Sequence, residues 1–183
     1  MWCSRYLLLL LVFIVSSPVS FATAKDGDAR LTVGFPTYVY HPDNRSAREG
    51  WNEGWFHNEG VIVDLSWPAY SFGTVTDLRV GVTGGVFDNS IYNTSVFFGG
   101  MVEIEVHATD HLALSLGSYV GGITGYDTSP APAIAPYVGI AYGLTENFEL
   151  GLREFWLPAK SVGGEELARS DAYVLAVTVG SRF

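Results

Sequence analysis

The sequence predicts an all-β fold, an eight-stranded antiparallel transmembrane β-barrel behind a cleaved signal peptide, and three observations carry that expectation. Apolar residues alternate with small or polar ones at period two in eight separate stretches. After residue 24 no apolar run reaches the roughly 20 residues that a spanning helix requires, so a membrane role needs strands. The composition is 14 % aromatic with 21 glycines, which suits short strands and turns. A soluble sandwich or a lipocalin-like barrel would show the same periodicity and stands as the alternative.

Residues 1–24 hold Arg5, an apolar block from Tyr6 to Val15 and a small-residue end at Ala22-Thr23-Ala24. That is the pattern of a secretory signal with an A-x-A cleavage site, leaving 25–183 as a single domain. The one cysteine, Cys3, lies inside the signal, so the mature chain is expected to have no disulfide and no thiolate metal site. Loss of Arg5 makes the chain one unit more negative than the −9 of the full sequence. That balance argues against nucleic acid, whose phosphates call for a basic surface.

The eight segments run near 31–41, 60–67, 77–87, 94–107, 111–122, 134–142, 147–157 and 172–183. In the fourth, Val96, Phe98, Gly100, Val102, Ile104 and Val106 form one face, against Ser95, Phe97, Gly99, Met101, Glu103, Glu105 and His107. In the last, Tyr173, Leu175, Val177 and Val179 oppose Val174, Ala176, Thr178, Gly180 and Arg182. Strands of about 10 residues with an apolar outer and a smaller or polar inner face are the mark of a membrane barrel. The end at Ser181-Arg182-Phe183 looks like the terminal aromatic of outer-membrane barrels, so the expected location is a Gram-negative outer membrane.

Connections at Thr109-Asp110 and at Gly143-Leu144-Thr145-Glu146 are short, while 123–133 and 158–171 are long. Short turns face the periplasm in bacterial barrels, which puts His41 and the 88–93 connection together at the outer rim. The connection 68–76 is longer than this parity expects. Inward positions toward the periplasm carry Arg79, Glu103, Glu105, His107, Glu149 and Arg182, an expected polar plug because isolated buried charges are costly. Toward the outside the inner faces carry Gly85, Phe87, Ser95, Phe97, Gly99, Tyr119 and Gly121. Glycines there either leave an apolar well for a hydrocarbon chain or relieve crowding at bends. Pro130, Pro132 and Pro136 precede or begin the sixth segment and Pro158 ends the seventh. Proline donates no ladder bond, so a gap in the wall for a lipid tail is one expectation and loop punctuation the other.

Together these features resemble the lipid A palmitoyltransferases of the PagP type. The resemblance is carried by TYVYH ending in His41, WNE at 51–53, VFDNS at 86–90, GGITGYD, the proline spacing of PAPAIAP, FWLPA and the final strand to Phe183. It implies an outer-membrane enzyme that moves a palmitoyl chain from a glycerophospholipid to lipid A. It also implies that His41 is the catalytic histidine and Ser90 the outer-loop serine, with Asn89 where the best-known members have aspartate. Asp88 lies one position earlier, and neighbouring residues in extended chain face opposite ways. Residues 25–30 are too short for the amphipathic helix that precedes the barrel in those members.

Acyl transfer needs an activated acceptor hydroxyl and a stabilised oxyanion. The expected roles are His41 as general base, Asn89 as orienting group or oxyanion donor, and Ser90 as a positioning group or nucleophile. His57 in WFHNEG is a competing base, whereas His107 and His111 fall at the opposite end. No metal-ligand cluster is evident among the four histidines, and no cofactor is expected for a monomeric barrel whose partners are lipids. Two other functions remain open from sequence: a non-catalytic barrel for surface interaction or membrane structure, and a lipid A deacylase, which usually presents a compact His-x-Ser arrangement absent here.

Overall fold

In a computed structural model, the described residues are 29–40, 55–57, 59–88, 94–125, 130–158 and 171–183. They form β1 (Arg30–Tyr40), β2 (Trp55–His57), β3 (Gly60–Phe72), β4 (Thr76–Asp88), β5 (Thr94–His107), β6 (Leu112–Ile123), β7 (Ala131–Gly143), β8 (Phe148–Leu157) and β9 (Ala172–Arg182). Consecutive long strands pair antiparallel, and β1 pairs with β9 from Arg30↔Arg182 to Tyr40↔Tyr173, which closes an eight-stranded barrel. The short β2 adds to the outer end of β1 through Tyr38↔His57, Val39↔Phe56 and Tyr40↔Trp55. His57, the competing base in the sequence, is thus the last residue of a short strand.

The turns explain how the wall folds back. The expected long connection at 68–76 is instead mostly strand: β3 runs on to Phe72, and a tight turn at 73–75 leads into β4. Pro68 is accommodated because the register shifts between Pro68 and Tyr70, where a bulge relieves the missing donor. Gly73 has φ of 71°, a left-handed conformation that costs glycine nothing. The next two turns at this end use a threonine device. Thr109 Oγ1 accepts from the amides of His111 (3.2 Å) and Leu112 (3.0 Å), and Thr145 Oγ1 accepts from the amide of Asn147 (3.4 Å). The short-turn end is periplasmic by the bacterial pattern.

Period two decides the two faces. Phe98, Val102, Ile104, Leu116, Val120, Val138, Ile140, Leu150 and Leu152 all point outward and are exposed, as a wall facing lipid requires. Aromatic groups mark its two edges: Trp67, Tyr70, Phe72 and Tyr142 toward the short turns, and Tyr38 and Trp156 toward the long connections. The inner face divides into two tiers, apolar toward the outside and ionic toward the periplasm.

Candidate functional site

The outer tier is a narrow well. Its wall is built by Pro36, Ile62, Phe87, Phe97, Tyr119, Ile123, Ala133, Ala135, Phe155, Leu157 and Val174, one or two residues from each long strand. Its cavity volume is about 50 Å³. So small a volume, lined only by apolar and aromatic residues drawn from all eight long strands, makes a tight apolar well. Its base is aromatic: Tyr119 stacks on Phe155 at 5.3 Å and meets Tyr137 at 5.0 Å and Phe97 at 6.0 Å.

Of the two expectations for the inward glycines, relief of crowding is the one the structure favours, since the glycines do not make this space. Gly99 lies directly opposite Gly121, and a Cβ on either would run into the facing strand's backbone, at the carbonyl of Val120 or of Phe98. A Cβ on Gly85 would lie 2.8 Å from the Val61 carbonyl oxygen. These positions relieve close strand approach, while the room in the well comes from the small inward side chains of Ala133 and Ala135 on β7.

The wall opens beside those alanines. β7 pairs with β6 along its whole outer half, including Pro132↔Gly122 and Pro136↔Ser118. On its other side the ladder to β8 stops at Tyr137↔Phe155, although β7 continues to Ala131 and β8 to Leu157. The expectation that the sixth segment starts at 134 is thus corrected to Ala131, with two prolines inside the strand. Alternate amides point to opposite neighbours, so Pro132 and Pro136, four apart, remove two donors from one edge of β7. The ladder that fails is the one to β8. A second interruption lies at Pro36, where the β1–β9 register shifts and the β1–β3 ladder ends at Gly34↔Ile62.

Beneath the aromatic base lies the charged floor. Arg30 donates to Glu103 and Glu105 and stands 3.5 Å from Glu149. Arg153 donates to Asp64 Oδ2 (2.5 Å), Tyr119 Oη (2.8 Å) and Glu103 Oε2 (3.1 Å), and its guanidinium sits 4.8 Å from the Tyr137 ring centre. Tyr119 donates to Asp64 at 2.6 Å and Tyr137 to Glu103 at 2.8 Å, so the rings that floor the well are tethered to the ionic layer. Arg182 donates to Glu105 (3.3 Å) and Glu149 (3.2 Å), and Arg79 donates to Ser66 Oγ and its carbonyl, each at 3.3 Å. Among the described residues, the carboxylates of Asp64, Glu103, Glu105 and Glu149 meet the guanidiniums of Arg30, Arg153 and Arg182, while Asp77 pairs with His107 and Arg79 donates to Ser66, so five inward carboxylates stand against four guanidiniums. Buried charges survive here because nearly every one has an opposite partner and hydrogen bonds.

The polar plug expected from Arg79, Glu103, Glu105, His107, Glu149 and Arg182 is therefore present. Arg30, Asp64, Arg153 and Tyr137 were missed, although Asp64 and Arg153 each stand at an inward position of an alternating strand. His41, Asn89 and Ser90 lie outside the described residues, as do the signal at 1–24 and the WNE stretch at 51–53. What precedes them is clear: β1 ends at Tyr40, where it pairs with β2, and β4 ends at Asp88, both at the long-connection end. Asp88 is exposed, out of phase with inward Phe87, and its Oδ1 accepts a 3.4 Å bond from the Thr94 hydroxyl.

No family model and no curated protein sequence matches the chain. Solved structures do. Neisserial surface protein A matches with a TM-score of 0.55 at 13 % identity, over 88 % of this chain and 100 % of that one. The outer membrane enzyme PagL matches at 0.53 and 12 % identity, over 84 % and 99 %. The attachment invasion locus protein Ail of Yersinia pestis matches at 0.51 and 10 % identity, over 86 % and 99 %. The fold is that of the small outer-membrane β-barrels. One of these neighbours is described as an enzyme and another as a surface protein, so the shared architecture does not select an activity.

Proposed function

We propose that this barrel is an outer-membrane acyltransferase that moves a long-chain acyl group, palmitoyl by resemblance, from a glycerophospholipid to lipid A of lipopolysaccharide. One observation carries the reading: a tight apolar well beneath the outer rim, opening sideways where the β7–β8 ladder stops at Tyr137↔Phe155. A phospholipid in the outer leaflet reaches that gap without leaving the bilayer, and its acyl chain descends beside Ala133 and Ala135 until it meets Tyr119. The ester is then left at the rim, where β1 hands on to His41 and β4 to Asn89 and Ser90. Two strand spacings separate the ends of β1 and β4 by about 10 Å around the wall, and because Tyr40 pairs with Trp55 while Asp88 bonds to Glu59 the ends are also staggered by roughly 13 Å along it.

In the proposed reaction His41 removes the proton from a lipid A hydroxyl, whose oxygen attacks the ester carbonyl. The carbonyl oxygen takes up negative charge facing the Asn89 amide and Ser90 hydroxyl, both able to donate. As the tetrahedral centre collapses, the bond to the glycerol oxygen breaks and the lysophospholipid leaves with the proton from His41. Lipid A mass spectrometry tests this in a strain lacking its own palmitoyltransferase. The intact gene should add an acyl chain, and His41→Ala or Ser90→Ala, folded in the membrane, should lose that addition. An unchanged lipid A profile with folded intact protein would overturn the reading, and loss of an acyl chain would point to a deacylase.

A second reading, a non-catalytic barrel in surface interaction or membrane structure, draws on the ionic floor, which fills the lumen below Tyr119 as a purely structural interior would. It expects the same lipid A profile with and without His41.

A further inference from the structure

The well and the rim leave one group of ligating side chains unused, at the opposite end of the barrel. Asp77 on β4 and Glu105 on β5 are direct cross-strand partners on the inner face. Like charges so placed are destabilising unless a cation lies between them. His107, two residues beyond Glu105 on the same face, brings its Nε2 to 3.2 Å from Asp77 Oδ2 and 3.5 Å from Glu105 Oε1.

We propose that the periplasmic mouth binds a divalent transition-metal ion of the zinc class through Asp77 Oδ2, Glu105 Oε1 and His107 Nε2. A tetrahedral ion with ligands at roughly 2.0–2.1 Å has donor atoms about 3.3 Å apart along each edge. Two edges of this triangle already have that length, and all three donor atoms lie within 4.8 Å of one another. An imidazole beside two carboxylates favours a zinc-like ion over magnesium or calcium, which prefer all-oxygen shells. The fourth position faces water, since the side chains of His107 and Asp77 are 27 % and 20 % exposed.

The surroundings prepare the ligands. Ser71 donates to Asp77 Oδ1 at 2.6 Å and leaves Oδ2 turned toward His107. Glu105 is held on its far oxygen by Arg30, while Arg182 shares Oε1 at 3.3 Å and is itself drawn off by Glu149. Such outer contacts fix ligand orientation in metal sites. The lumen already carries one carboxylate beyond its guanidiniums, and the exposed Asp110 and Glu146 at the same mouth add negative charge that draws in a dication.

The full chain, refolded in detergent, tests this with Co²⁺ as the visible probe and Zn²⁺ as competitor. One equivalent of Co²⁺ should produce saturable d–d absorption that Zn²⁺ abolishes. Asp77→Asn and His107→Ala should each weaken binding at least tenfold, while His111→Ala, in the same mouth but outside the triad, should bind as the intact chain does. Folding of each variant is read from heat-dependent gel migration. If His107→Ala does not fold, Asp77→Asn alone decides. Absence of saturable binding in folded intact protein, or unchanged binding in Asp77→Asn, would overturn the site and leave the triad as a hydrogen-bonded cluster of His107 with two carboxylates.

Discussion

Arg30 shows how much a single inward residue can hold. From the first position of β1 its guanidinium reaches Glu103 and Glu105 on β5 and Glu149 on β8, tying strands that are not neighbours in the sheet. Glu103 in turn accepts from Arg30, Arg153 and Tyr137, so its removal leaves buried cations without their counter-charge. Glu103→Ala is expected to destabilise the barrel by about 3–5 kcal/mol, measured as a lowered urea midpoint in detergent or lipid. At this scale the sequence was half legible. Glu103 and Glu105 stand out as charges inside an alternating run, whereas Arg30 reads as the tail of a short leader because its partners are more than 70 residues away. A separation of 30 residues between Asp77 and His107 likewise hides the Asp77, Glu105 and His107 triad, which no local ligand spacing announces.

At the scale of the element, β7 decides what the barrel can hold. Its inward Ala131, Ala133 and Ala135 leave room, and its prolines deny β8 a continuous partner. Ala135→Phe should fill the well while keeping the strand's period. It is expected to shorten or abolish the acyl chain that appears on lipid A without loss of folded protein, as read by lipid A mass spectrometry beside gel migration. Pro132 argues against a strand when read alone, which is why the sequence starts this element at 134, with Pro136 already inside it. The strand exists because β6 supplies a complete ladder on one side, so the donors lost at the prolines interrupt only the edge toward β8. The connection 68–76 failed for a related reason: Pro68 signals a loop, and a bulge lets β3 continue.

For the whole molecule the governing fact is that one face of every strand meets lipid. Leu116, 59 % exposed near the middle of β6, is a test position. Leu116→Arg should cost about 2–4 kcal/mol of folding free energy into bilayers, against little for the same change at the exposed turn residue Thr145, as measured by reversible unfolding from liposomes. Period-two alternation and the lack of a second apolar run determined the eight long strands and which face is wet, because side chains on a pleated strand alternate except where a bulge intervenes, as at Pro36 and Pro68. The sequence also determined that charges gather at the periplasmic end of the lumen. Tertiary structure alone decided which charges pair, that Gly99 and Gly121 relieve close strand approach while alanines make the well, and that the wall opens between β7 and β8. Those outcomes depend on curvature and register summed around a closed barrel, where each strand's position is set by all the others and by no short stretch of chain.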